Sequence, residues 1–159
     1  MTQGYEANHS GKFLENIVQR EFESRGFIVR DYGSDADNLD MFAPRILVRG
    51  VPYISIYETD SRSEFVVTEY NRKIRIECKW QESSGSVDEK FPYVIDNAAE
   101  AMPEREILIL HGGGGARDGA LSYLKRKAAL VTHKKIWVLN INEFPGWVRI
   151  EFINGKKAA

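Results

Sequence analysis

Glu64, Glu77 and Lys79 are the residues of this chain whose types and spacing could do chemistry. They lie in the segment Glu-Phe-Val-Val-Thr-Glu-Tyr-Asn-Arg-Lys-Ile-Arg-Ile-Glu-Cys-Lys-Trp-Gln, residues 64–81. The segment reads as a tight hairpin turning at Asn71-Arg72. Side chains alternate along a strand, so Phe65, Val67, Ile74, Ile76 and Cys78 form an apolar face. Glu64, Val66, Thr68, Arg75, Glu77 and Lys79 form the other. This register sets Val66 opposite Glu77 and Glu64 opposite Lys79, with facing Cβ atoms roughly 5 Å apart; a four-residue loop, Tyr70 to Lys73, gives the same pairing. Two readings are open. The three charges could be a surface ladder of ion pairs worth about 0–1 kcal/mol. Alternatively, the two acids could hold a hard divalent cation such as Mg²⁺, which takes oxygen ligands. Lys79 would then stabilise an activated water or transition-state charge beside it.

The elements around the hairpin would have to position these groups. Ser10 to Arg25 reads as a helix with Phe13, Leu14, Ile17, Val18 and Phe22 as its apolar stripe, Ser10 as N-cap and Gly26 as stop. Phe27-Ile28-Val29 reads as a short strand and Gly33 to Asp40 as a loop. Two β-rich runs, Ile46-Leu47-Val48 and Tyr53 to Tyr57, are split by Gly50-Val51-Pro52. After the hairpin, Ser83-Ser84-Gly85-Ser86 forms a loop leading into a helix from about Asp88 to Ala101. Ser86 and Glu89 have capping-box spacing, while Pro92 predicts a kink or a later start. Glu106 to Leu110 has the pattern of a buried strand. A run of four glycines follows, then a helix over Asp118 to Val131 with Ala120, Leu121, Leu124 and Ala128 inward. Lys135 to Ile141 reads as a strand and Trp147 to Ile153 as an edge strand.

At 159 residues, 43% hydrophobic and 28% charged, the chain fits one soluble globular domain over residues 1–159. It has no apolar run long enough to span a bilayer, and its start lacks the regions of a signal peptide. A cytoplasmic location is therefore expected. A single cysteine excludes an internal disulfide, and no Cys/His cluster suggests zinc. The net charge of −1 does not advertise nucleic-acid binding, yet an acidic metal centre with a basic rim would balance near neutrality. Lys125-Arg126-Lys127 and Lys134-Lys135 could form such a rim or decorate a solvated helix and its end.

Arg62-Ser63-Glu64-Phe65-Val66 followed by Ile76-Glu77-Cys78-Lys79-Trp80-Gln81 resembles the signature of the PD-(D/E)XK nuclease superfamily. In that family an acid opens one strand and a D/E-x-K tripeptide lies on the next. The chain departs from the pattern in carrying Glu64 where the first acid is usually Asp, and Asp60 is the fallback. The resemblance covers roughly Ser10 to Leu139 in element order. It implies an α/β, restriction endonuclease-like mixed sheet core flanked by helices, in αβββαβ order with an added helix and strand. It also implies metal held by Glu64 and Glu77, with Glu15, in Gly11-Lys12-Phe13-Leu14-Glu15, similar to a first-helix acid that completes the shell. Gln81 resembles the glutamine that some members place after the lysine to hold substrate or metal; strand-end hydrogen bonding is the competing account.

The expected function is a Mg²⁺-dependent endonuclease, with Mn²⁺ as substitute, that hydrolyses phosphodiester bonds in DNA and, by analogy, works as a homodimer. Ser83, Ser84, Ser86 and Lys90, on a loop entering a helix, offer hydroxyls, N–H groups and a cation to a phosphate; ordinary loop and capping chemistry is the alternative. A catalytically silent fold that binds nucleic acid or protein is the second functional expectation. Cys78 points to the apolar side and reads as core. The glycine run lacks the Walker and Rossmann spacings, and the scattered histidines His9, His111 and His133 support no triad.

Overall fold

The computed structural model describes residues 2–33, 45–81 and 86–152. Six strands form one mixed sheet in the order β1-β2-β3-β4-β5-β6. They are β1 (Ile28–Asp31), β2 (Arg45–Ile54), β3 (Asp60–Glu69), β4 (Arg72–Trp80), β5 (Glu106–Gly112) and β6 (Lys135–Asn140). The helices are α1 (Thr2–Glu23), α2 (Ser86–Glu100), α3 (Asp118–Leu130) and α4 (Phe144–Glu151). Strands β2, β3 and β4 form an antiparallel meander. The connections through α2 and α3 make β4, β5 and β6 parallel, as a helical crossover requires.

Alternation in the strands splits the apolar residues between two cores. Leu108 and Leu110 of β5 pack with Ile74, Ile76 and Cys78 of β4 against Leu14, Val18 and Phe22 of α1 and Phe144, Trp147 and Val148 of α4. Ile107 and Ile109 turn the other way, onto Phe91, Val94, Ile95 and Ala98 of α2 and Leu124 and Ala128 of α3. Ile107 to Leu110 are thus all fully buried, the continuous apolar run expected of a parallel strand covered on both faces. The α1 stripe works through the i, i+4, i+8 spacing of Leu14, Val18 and Phe22, each at zero exposure. Phe13 lies at its border, half exposed, with its ring edge-on to Trp80 at 5.5 Å.

Several expected boundaries are corrected. Helix α1 starts at Thr2 rather than Ser10. Strand β2 runs unbroken past Gly50-Val51-Pro52 because Gly50 absorbs the local bend at φ 67°. Helix α2 continues through Pro92, whose ring is on the exposed side. The segment after β6 is a helix, not an edge strand: Phe144, Trp147 and Val148 are buried at helical spacing, and Pro145 opens the first turn, where its missing N–H costs nothing. The expected loop over Gly33 to Asp40 falls, beyond Gly33, outside the described residues.

The hairpin itself turns one residue earlier than expected. Glu69 pairs with Arg72, so the turn residues are Tyr70 and Asn71, and the register sets Val66 opposite Arg75 and Phe65 opposite Ile76. Val66 is therefore not opposite Glu77, nor Glu64 opposite Lys79. Tyr70, not a glycine or asparagine, takes the left-handed conformation at φ 55°, which a bulky residue rarely adopts.

Candidate active site

The ladder between β3 and β4 stops at Phe65 and Ile76, although both strands continue. Extended further, the same register would set Glu64 across from Glu77 and Ser63 across from Cys78. The contacts are the reverse. Ser63 Oγ donates to Glu77 Oε1 at 2.6 Å, and Glu64 Oε2 accepts the backbone N–H of Cys78 at 2.9 Å. The strands part here and the side chains exchange partners, the kind of local irregularity that re-aims side chains beside active sites. A carboxylate satisfies a main-chain donor that the neighbouring strand no longer reaches.

Glu77 is 3% exposed. Besides Ser63, it accepts from Lys79 Nζ at 3.1 Å through its other oxygen. Ser63 in turn accepts from Arg75 Nη1 at 3.0 Å. Arg75 is the largest fully buried side chain and is held from every side. It pairs with both oxygens of Glu104 at 2.5 and 3.0 Å, donates to the carbonyls of Val51 and Pro52, and lies over the Tyr53 ring at 5.2 Å. A chain of buried hydrogen bonds thus runs from Glu104 through Arg75 and Ser63 to the Glu77 carboxylate. Nothing in a linear reading of alternation points to Ser63 or Glu104, because their contacts depend on the parting of β3 from β4 and on a distant loop.

The electrostatics mark Glu64 as the strained member. Burial, then repulsion from Glu77, pushes its carboxyl up to about 7, against the pull of Lys79 and the Cys78 N–H. The Lys79 ammonium is held above its usual range by Glu77 and Glu64, which outweigh its own desolvation. Tyr53 is pushed up to about 12 by burial and by Glu77, so its hydroxyl keeps its proton at any physiological pH.

Two cavities open on the site. One, of about 230 Å³, is bordered by Glu77 and Lys79 of β4, Tyr53, Ser61, Arg62, and Lys90, Tyr93 and Asn97 of α2. The other, of about 250 Å³, is bordered by Glu64, Ser63, Arg62, Arg49 and Glu15 of α1. Glu15 is half-buried, and burial raises its carboxyl pKa despite the opposing pull of Lys12 and Arg49. The three expected acids are therefore divided: Glu15 shares a cavity with Glu64, while Glu77 and Lys79 line the other, with Arg62 and the β3–β4 opening between. Among the described residues no three His, Cys, Asp or Glu side chains converge as a ready-made metal ligand set.

The remaining residues singled out from the sequence are placed as follows. Lys90, exposed, borders the Glu77 cavity. Ser83 and Ser84 lie outside the described residues, and Ser86 is the first residue of α2. Gln81 is buried and turns toward the loop after β5, where Nε2 donates to the Gly115 carbonyl at 3.2 Å and its main chain bonds Gly112 and Gly115. The glycine run serves this approach. A Cβ on Gly113, at φ 94°, would meet the Gln81 carbonyl oxygen at 2.3 Å. Asp60 is exposed and borders neither cavity. Cys78 is buried in the core, with its thiol pKa raised by burial and by Glu64. Of the expected basic rim, Lys134 donates to the Ala98 and Met102 carbonyls at the end of α2, Lys135 lies over Trp137, and Arg126 and Lys127 lie over Tyr123.

The family model of the PD-(D/E)XK nuclease superfamily domain matches residues 6–152, so the chain belongs to that superfamily. Its six-stranded mixed sheet flanked by helices is the restriction endonuclease-like fold. No curated protein matches the chain. Members of the superfamily typically use divalent metals, and the donors here suit a hard cation. Glu64 and Glu77 offer only oxygen, and burial with mutual repulsion raises the Glu64 carboxyl against the pull of Lys79, a strain that a bound cation would relieve.

Proposed function

We propose that the chain is a Mg²⁺-dependent nuclease that hydrolyses phosphodiester bonds in DNA, cutting internally, with the whole chain forming one domain. The observation that carries this reading is the Glu64–Glu77–Lys79 group at the β3–β4 opening, where a half-buried carboxylate is pushed up to about 7 by burial and by its neighbour. Perturbed groups of this kind in a cleft are common at reacting centres. Glu64 and Glu77 would hold the metal, with Glu15 reaching it from α1. Bound there, Mg²⁺ supplies Lewis-acid polarisation of a phosphate and lowers the pKa of water. The protein's own groups do the rest. Ser63 and Arg75 fix the Glu77 carboxylate, and the Lys79 ammonium orients a water or offsets charge developing on the phosphate. Lys90 and Arg62, on the cavity rim, attract the backbone, and Ser83, Ser84 and Ser86 stand beside them in sequence as further phosphate contacts. A homodimer cutting both strands is the expected assembly by analogy with the superfamily.

A second reading, a silent fold that binds nucleic acid or protein, draws on the division of the acids between two cavities. Assay of duplex, single-stranded and branched DNA, with RNA alongside, in Mg²⁺ and in Mn²⁺ separates the two. The nuclease reading expects cleavage of at least one DNA substrate, lost in Glu77→Ala while circular dichroism stays unchanged. If the wild type leaves every substrate intact with both metals, the binding reading replaces it.

A further inference from the structure

The Glu77 cavity is lined by two unlike kinds of side chain. Lys79, Lys90 and Arg62 supply one. The other is aromatic: Tyr53 and Tyr93 border the cavity, and Tyr57 stacks on Tyr93 with ring centroids 5.1 Å apart and planes at 25°. Tyr57 is 70% exposed, so the ring face turned away from Tyr93 is open. An exposed tyrosine is ordinary on a mobile loop, but this loop is braced. Ser55 Oγ bonds Thr59 Oγ1 at 2.7 Å and accepts the Tyr57 N–H, and the buried Asn97 of α2 accepts the Ile56 N–H at 2.8 Å. Ser55 N–H bonds the Thr59 carbonyl, and Glu58 closes the turn at φ 59°. The bracing holds Tyr57 out in water without using its ring.

We propose that Tyr57, backed by Tyr93, is a stacking platform for an unpaired nucleobase next to the scissile phosphate. The substrate class would then be DNA with single-stranded character at the cut: a single strand, a flap, a frayed end or a branch. The inference rests on the nuclease reading for the identity of the polymer, and it adds which form of that polymer is taken. A cationic groove that tracks the backbone beside aromatic rings that stack bases is the general solution for single strands, because every base has a π-face. A paired base inside a duplex has both faces covered and cannot use the platform.

The test reads binding apart from cutting. Single-stranded oligonucleotides with 2-aminopurine scanned through successive positions are titrated with protein in EDTA, beside a blunt duplex of the same sequence. Quenching is expected at one or two adjacent positions, since stacking on an aromatic ring quenches this base. Tyr57→Ala should abolish the quench and weaken single-strand binding about tenfold, within the range for loss of one stacked base. Tyr57→Trp should keep both, and duplex binding should not change. Because Tyr57 is exposed and its loop is braced by other residues, the variants should fold. Equal affinity and equal quenching in Tyr57→Ala overturn the platform. So does a change in sedimentation of Tyr57→Ala without DNA, which would make this surface a contact between protein chains. A protein that quenches and binds but never cuts with Mg²⁺ or Mn²⁺ keeps the platform and loses the nuclease reading. One that cuts single and double strands equally, without dependence on Tyr57, keeps the nuclease reading alone.

Discussion

Strand β4 begins at Arg72 and ends just past Lys79, and each of these cations stands between two glutamates. At the hairpin end, Arg72 bonds both oxygens of Glu106 at 2.8 Å, Glu151 Oε2 at 2.6 Å and the Glu151 carbonyl at 3.1 Å, with Phe152 beneath it at 5.7 Å. Both acids are directly neutralised, and the guanidinium pKa is raised chiefly by the Glu106 hydrogen bonds. At the other end, among the described residues, Lys79 Nζ bonds Glu77 at 3.1 Å and Glu64 accepts from the main-chain N–H of Cys78 at 2.9 Å. Composition is equal; satisfaction is not. The planar fork of arginine serves two carboxylates at once, while an ammonium on a flexible stem acts as a point charge. The Arg72 group ties the meander to α4. In the Lys79 group one ammonium faces two carboxylates, and Glu64 holds its proton up to about 7.

Exchanging one residue in each group should dissociate stability from activity. Glu64→Gln keeps an acceptor for the Cys78 N–H but removes a charge, so cleavage should fall at least ~100-fold while metal-free stability at pH 8 rises. Arg72→Gln should do the opposite, costing about 1–2 kcal/mol in urea melts, a value tempered by partial exposure, with cleavage rates within about twofold. If both variants behave alike, the two ends of β4 are not different in kind.

Arg75→Met asks how far the Glu77 end depends on its buried backing. It would leave Glu104 and two carbonyls without their donor, so a loss of about 3–5 kcal/mol is expected. Ser63→Ala should be milder in stability and appear as a lower kcat with KM little changed.

A smaller effect concerns pH. The Glu64 carboxyl has its proton up to about 7 in the folded chain but releases it near its ordinary value of 4.5 when unfolded. The native state binds more protons between those values, so metal-free stability should decline as pH rises from about 4.5 to 7 and then level off. At roughly 1.4 kcal/mol per pH unit, the fall cannot exceed about 3.5 kcal/mol. Glu64→Gln should flatten this slope, and saturating Mg²⁺ should remove it as well; melts across pH 5 to 8 would register either.

The parts legible in the sequence were those carried by local periodicity. The alternation of Ile74, Ile76 and Cys78 against Arg75, Glu77 and Lys79 separates core from polar face, and the i, i+4, i+8 spacing of Leu14, Val18 and Phe22 gives α1. The Glu-x-Lys tripeptide with an acid on the preceding strand led to the superfamily that the matched residues bear out. What failed needed knowledge of partners. The sequence places the turn at Asn71-Arg72, yet Tyr70 and Asn71 form it, with Tyr70 left-handed, and the one-residue difference moves the whole register. The last segment was read from Trp147, which hid the helical spacing that begins at Phe144. Ser63, Tyr53 and Glu104 carry no local signal, since their roles come from segments distant in sequence that meet only on folding.

Gly113 leaves the Gln81 main chain no room for a methyl group, and Gln81 follows Lys79 by two residues. The final turn of the glycine loop therefore acts as a jig for the end of β4. An alanine at 113 would have to shove that backbone aside, and on the proposed nuclease reading this would swing the Lys79 ammonium off its aim. On that reading the reacting centre is exposed to drift in a stretch that looks, by composition, like mere slack.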